Sequence, residues 1–307
     1  MDSLRDKKLI KLLISISEEV AKGNYRNIDT LFSLTDTNQY PGEISMLAES
    51  FGMMIVQLEA RQQRLENLIE QLQISNKNLQ SLATQLFNAN IGMLETLGSV
   101  IAKRDSDTSS HNYRVTISSI YIAKEIALDD EQVRGLIKGA FLHDVGKIAI
   151  SDNILLKPGK LTPSELEIMK THVSHGSEIV RNYKWLNDAL DVVQYHHERY
   201  DGSGYLKGLK GTEIPLNARI FTIADVFDAL TSIRPYKKAF SIDKSLQIMI
   251  KGAGSFFDPD IMQTFLSIAD TIYKEVNHSE IDILKSKLND FLNQYFSTVP
   301  FAIDSSF

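Results

Sequence analysis

With 307 residues, 43% of them apolar and 23% charged, the chain has room and hydrophobic content for one large folded unit or two modest ones. Its net charge of −6 argues against binding a nucleic-acid polymer, which wants a basic face, but leaves room for a small anionic ligand met by a few local cations. No cysteine is present, so disulfides, thiolate metal sites and thiol nucleophiles are excluded, in keeping with a cytoplasmic location. Asp2, Arg5, Asp6, Lys7 and Lys8 precede only a short apolar run over 9–16, broken by Lys11, which does not read as a secretory signal. No segment approaches the roughly 20 apolar residues of a membrane span.

The first predicted element is a helix over 3–22, with Ile10, Leu13, Ser17 and Val20 on one stripe and Gly23 placed to stop it. A polar connector over 24–41 carries the isolated apolar anchors Ile28, Leu31 and Phe32. Pro41-Gly42 breaks the chain, and a second helix is expected from Glu43. From Phe51 a heptad emerges: Phe51, Leu58, Leu65, Leu72, Leu79, Leu86 and Met93 recur every seven residues as a d series. The matching a positions are Ile55, Gln62, Ile69, Asn76, Ala83 and Asn90. Leu at d with a polar Asn76 at a favours a parallel two-stranded coiled coil, hence a homodimer. The alternative is a helix lying along its own protein, although the intervening Gln, Glu, Asn and Arg residues leave no second apolar face. The heptad runs into the next helix near Met93, Leu94 and Leu97.

Beyond residue 90 the pattern is helix after helix. Glu131 leads into Val133, Leu136, Ile137, Ala140 and Phe141 at core-facing spacing, and that run ends on His143-Asp144. A carboxylate beside an imidazole in apolar surroundings is costly unless each has a partner. A satisfied core ion pair is one reading, and metal ligation is the other. His111, His172, His196, His197 and Asp225 each lie in a comparable apolar setting, so with His143 five of the seven histidines are candidates of this kind within one segment. Imidazole and carboxylate without thiolate suit Fe, Mn or Zn. The set exceeds what one ion needs, and a shared carboxylate would hold two. Thr162-Pro163-Ser164-Glu165 has the form of a capping box, and Asp258-Pro259 starts another helix. No period-2 run stands out, which predicts an all-α domain. An amphipathic segment over 281–296 (Leu284, Leu288, Phe291, Leu292) should pack back on the domain or the dimer.

His111, His143-Asp144 and Asp225 resemble the signature of HD-superfamily phosphohydrolases. The run His196-His197-Glu198-Arg199-Tyr200-Asp201-Gly202-Ser203-Gly204-Tyr205 narrows the resemblance to the HD-GYP cyclic di-GMP phosphodiesterases. Ile214-Pro215-Leu216-Asn217-Ala218-Arg219-Ile220, the run from Ala224-Asp225 to Thr231-Ser232, Arg234-Pro235-Tyr236-Lys237 and Phe257-Asp258-Pro259 match in the same order. One departure stands in the name motif, where the family's Gly-Tyr-Pro reads Gly204-Tyr205-Leu206; this removes a φ lock from the loop and leaves the ligands untouched. The N-terminal hairpin resembles a HAMP signalling module with a degraded Gly42-Glu43-Ile44-Ser45 motif; a plain helical hairpin is the alternative. The implied organisation is a HAMP-like module (1–62), a coiled-coil linker (63–90), a phosphodiesterase domain (91–276) and a C-terminal amphipathic helix and tail (277–307).

The resemblance implies that His143, Asp144 and Asp225 hold one metal, with Asp144 bridging to a second held by His172, His196 and His197, and with His111 in the same cluster. His172 rather than His175 is implied as the ligand because it stands four before Gly176; His175 and His278 read as non-ligands. Fe, or alternatively Mn, is the expected metal. Metal-activated water would attack the phosphodiester, giving linear pGpG, GMP or both. Lys147, one turn after His143, is placed to absorb developing charge. Arg234 and Lys237 resemble phosphate contacts, and Tyr205 a ligand contact; surface ion pairing is the plainer reading of these residues. Asp107, four before His111, is a candidate for a third metal or else a solvated helix-start carboxylate. Two other functions stay open: hydrolysis of another cyclic nucleotide, and a binding module without turnover that reports through the coil to signalling proteins.

Overall fold

A computed structural model describes residues 2–104, 109–233 and 238–296. Asp107, Arg234 and Lys237 lie outside the described residues. The chain divides into two compact units, Met1–Phe87 and Asn88–Phe307. Among the described residues there is no strand, only an isolated parallel bridge between Ala253 and Phe257. No described helix is long and apolar enough to cross a membrane.

The first unit is built from α1 (Asp2–Ala21), α2 (Ile28–Ser33) and the start of α3 (Gly42–Arg104). Its core gathers Leu13, Ile16, Val20, Leu31, Leu34, Ile44, Ala48 and Ile55, with Leu9 and Phe51 packed at the margin. The buried stripe of α1 is thus Leu9-Leu13-Ile16-Val20 and differs from the expected one: Ile10 is exposed and Ser17 only half-buried. Both stripes have helical spacing, and the one carrying four large apolar side chains buries more surface. Gly23 closes α1 at φ +77, a conformation in which a side chain would be strained. The connector holds a helix the sequence did not suggest, α2, which buries Leu31 and leaves Phe32 exposed.

Ile55 belongs to this core, so the apolar seam of the heptad that remains uncovered begins at Leu58. From there Leu58, Leu65, Leu72, Leu79, Leu86 and Met93 are between 39% and 62% exposed.

The second unit wraps around α4 (Ser109–Glu125), in which Val115, Ile117, Ile120, Ile122 and Ala123 are fully buried. Helices α5 (Asp130–Leu142), α10 (Leu216–Thr231), α12 (Pro259–Ile272) and α13 (Ile281–Phe296) pack on it. Shorter helices α6 (Asp152–Leu155), α7 (Pro163–Lys170), α8 (His172–Arg181), α9 (Leu190–Tyr195) and α11 (Ile242–Lys251) complete the unit. The helix starts use the polar residues at their caps: Asp129 accepts from the Gln132 amide, and Asp258 from those of Asp260 and Ile261. Thr162 and Glu165 form a reciprocal capping box. Helix α13 buries Leu284, Leu288, Leu292 and Tyr295 against α4 and α5.

Candidate metal centre

The centre is assembled where α5 ends. His143 is still helical, whereas Asp144 leaves the helix at φ −99, ψ 8 and opens a 3-10 turn, Val145–Ala149. That turn lies flush on α8. A Cβ at Gly146 would stand 1.8 Å from the His172 carbonyl oxygen and 2.4 Å from the Gly176 amide nitrogen, so only glycine fits. The close approach places His172, first residue of α8, beside Asp144. His196 caps the C-terminus of α9, and His197 lies in the turn beyond it. The two rings therefore diverge at a helix end, with centroids 4.1 Å apart. Asp225 comes from α10 and His111 from the first turns of α4.

Seven of these side chains converge in two groups: Asp144, His172, His196 and His197, and His111, His143 and Asp225. Within each, one donor atom per residue lies within 4.8 Å of all the others. Asp144 links the groups. Its Oδ2 is 3.0 Å from His143 Nε2, and its Oδ1 is 3.4 Å from His172 Nε2 and 4.0 Å from His196 Nε2. His111 Nε2 lies 3.5 Å from Asp225 Oδ1. His175 and His278 are in neither group.

The residues present fit metal ions. The Nδ1 atoms of His143, His172 and His196 all face backbone carbonyls, of Ala140 (2.8 Å), Met169 (2.8 Å) and Val192 (3.1 Å). Donation to those carbonyls leaves each Nε2 with a lone pair directed inward. The inward Nε2 atoms of His172 and His196 then meet at 3.5 Å, an arrangement that repels unless a cation lies between them. Burial pushes His172, His196 and His197 below their ordinary pKa, His197 to about 3, so these imidazoles are neutral and able to ligate at pH 7. Burial acts the same way on His143, but the Asp144 carboxylate outweighs it and raises that ring. Burial would also raise Asp144; His143, Lys147 and His172 outweigh it and hold the carboxyl well below its usual range.

Lys147 sits in the 3-10 turn, and its Nζ donates to Asp144 Oδ2 at 2.7 Å. Tyr205 stacks on His197, centroids 4.7 Å apart and planes at 26°. Two further carboxylates were invisible as site residues in the sequence. Asp228, one turn after Asp225, accepts from His111 Nδ1 at 2.7 Å and is gripped by Arg114, whose Nη2 lies 3.0 Å from its Oδ2. It is buried, and although burial acts against it, His111 and Arg114 hold its carboxyl far below the usual range. A carboxylate behind a ligating imidazole fixes its tautomer and strengthens it as a donor. Glu198, also buried, accepts through Oε1 from the amides of Leu206 (3.0 Å), Lys207 (2.7 Å) and Gly208 (3.1 Å), tying down the loop after Tyr205. The Leu206 amide is a donor that proline would lack. Asp228 stands one turn from Asp225, but its partners His111 and Arg114 are remote in sequence.

A family model described as an HD domain matches residues 95–261. The chain is 43% identical over 175 residues to the cyclic di-GMP phosphodiesterase response regulator RpfG of Xanthomonas campestris, covering 56% of this chain and 46% of that protein. It is 37% identical over 214 residues to a cyclic di-GMP phosphodiesterase of Thermotoga maritima, covering 69% of this chain and 58% of that one. The chain thus spans about half the length of these curated relatives. Among solved structures, a cyclic GMP-AMP specific phosphodiesterase of V. cholerae superposes with a TM-score of 0.51 at 18% identity, over 66% of this chain and 54% of the other, and shares the fold.

Proposed function

The chain belongs to the HD-domain family, and from that premise we propose that it is a metal-dependent phosphodiesterase opening cyclic di-GMP to linear pGpG, GMP or both. The observation that carries the reading is a seven-residue donor set in two groups joined by Asp144. His143, Asp144, Asp225 and His111 would hold one ion, and Asp144, His172, His196 and His197 the other, with Fe or Mn the metals in view. When bound, such ions acidify water and neutralise phosphate charge. The protein's own residues do the rest. Lys147 keeps an ammonium 2.7 Å from Asp144, where it can absorb charge on an anionic phosphodiester oxygen as the ribose oxygen departs. Tyr205, held on His197 and tied down behind by Glu198, offers a ring edge and hydroxyl to the ligand. Arg234 and Lys237 are proposed phosphate contacts, and Asp107 a ligand for a third ion.

The remainder of the reading concerns context. We place the protein in the cytoplasm, with residues 1–62 as a HAMP-like module and 63–90 as a parallel coiled coil that makes a homodimer and conveys input from partner proteins. The exposed leucine seam supports this.

The test is anaerobic purification with Fe or Mn, metal counting, and chromatography of the products from cyclic di-GMP and, in parallel, from other cyclic dinucleotides. Asp144→Ala should abolish turnover, because both ions lose a shared ligand; wild-type rates in that folded variant would refute the mechanism. Cyclic dinucleotide binding without product would favour the non-hydrolytic signalling reading. Three metals per protomer falling to two in Asp107→Asn would support the third site.

A further inference from the structure

Arg104, the last residue of α3, directs its whole guanidinium at one stretch of chain. Its Nη1 donates to the carbonyls of Lys147 (3.0 Å) and Ile148 (2.8 Å), and its Nη2 to that of Ile150 (2.6 Å). Nη2 and Nε also reach Asp152 Oδ1, at 2.8 and 3.1 Å. The ion pair with Asp152 is two-thirds exposed on the acid's side and contributes little by itself. The carbonyls are different. They lie at the end of the 3-10 turn Val145–Ala149, which is bounded by the bond of the Lys147 amide to Asp144 O at 2.9 Å and that of the Ile150 amide to Lys147 O at 3.1 Å. The Lys147 carbonyl thus takes both the Ile150 amide and Arg104; helix ends leave carbonyls to be met from outside, and a rigid planar fork of donors can meet several that point the same way.

We propose that Arg104 is a positioning residue for the candidate centre: by clamping the carbonyls of residues 147, 148 and 150 it fixes the turn that carries Lys147 and keeps the ammonium on Asp144. The inference rests on the phosphodiesterase reading only for its effect on rate; the clamp itself is independent of it. It also makes the C-terminal turn of α3 the place where displacement of that helix reaches the ligand cluster. Gly146, pressed on α8, anchors the start of the turn, and Arg104 anchors its end. A lysine at 104 would keep the charge but lose the fork.

Arg104→Ala and Arg104→Lys are compared with wild type and with Lys103→Ala, an exposed neighbour whose loss removes the same charge. In metal-free protein, hydrogen exchange at the Lys147 and Ile150 amides should speed by about tenfold in both Arg104 variants, with α5 and α8 amides unchanged. Unaltered exchange at those two amides overturns the proposal. In metal-loaded protein, kcat on cyclic di-GMP should fall by about tenfold or more in both variants, since small misplacements at a site are amplified in rate. KM should stay within about twofold and metal content unchanged, while Lys103→Ala behaves as wild type. A lowered Tm with wild-type kcat would show a merely structural staple and overturn the proposal. If wild type hydrolyses no cyclic dinucleotide, the phosphodiesterase reading fails, and the clamp is then decided by the exchange measurement alone.

Discussion

Asp228 illustrates how a single carboxylate organises ligands it does not join. It faces His111 Nδ1 on one side and Arg114 on the other, in a pocket closed to water. Asp228→Asn keeps the shape but removes the charge. The metal affinity of the centre should fall by about 10–100-fold, because His111 loses the partner that sets its tautomer and basicity. The metal-free protein should lose about 3 kcal/mol, because Arg114 is left buried without its counter-charge. Chelator competition and denaturant unfolding measure the two effects separately, and unchanged metal affinity would reduce Asp228 to a packing residue. Glu198 has a related role farther from the ligands. Its three amide contacts hold the Tyr205 loop, and the Leu206 amide gives this chain a tie that the family's proline could not supply.

At the scale of an element, α7 shows local chemistry read directly from sequence. Thr162 accepts from the Glu165 amide, and Glu165 accepts from the Thr162 amide and from Lys157, whose Nζ is 2.7 Å from Oε1. Thr162→Ala should cost about 1 kcal/mol by denaturant titration. The hydrogen bond from Lys157, followed by those from Thr162, lowers the Glu165 carboxyl from 4.5 to about 2. A depressed carboxylate stabilises the fold above its unfolded value. The contribution is therefore whole at neutral pH and is lost as pH falls from about 4.5 toward about 2. An NMR titration of Glu165 should show the low midpoint, and Lys157→Ala should return it toward 4.5; an ordinary midpoint in wild type would show that the cap is not formed in solution. The 3-10 turn Val145–Ala149 is the opposite kind of element. His143-Asp144 was legible as an apolar helix end, but the turn that follows is seated by Gly146 on α8 and has its carbonyls met by Arg104, neither of which the sequence indicated.

At the scale of the whole molecule, the seam from Leu58 to Met93 is exposed along its length, and the proposed coiled coil would cover it. Light scattering at micromolar concentration should give a dimer, and a monomer would rule out the coiled coil. Asn76→Leu should raise thermal stability and relax register or oligomer state, since a buried polar a position specifies pairing at a cost in stability. Deleting one residue near Leu79 should shift the phase of the helix and change activity; unaltered kinetics would leave the coil a dimerisation element only.

What the sequence by itself determined is what period and spacing encode. The helical class, the caps at Thr162 and Asp258, the heptad and the HD-type motifs are all written in neighbours a turn or two apart, where local geometry follows from residue order. In the stripe of α1, Leu9 and Ile16 take the places expected for Ile10 and Ser17, because both sets have helical spacing and only packing in a core with Leu31 and Ile55 chose between them. The tertiary structure decided the rest. It set Asp144 between two groups of imidazoles, brought Asp228 to Arg114, curled Glu198 under the Tyr205 loop and closed Arg104 on the turn at Lys147. Each of these joins residues that no period relates. They meet only because buried polar groups must find partners once helices far apart in the chain have packed.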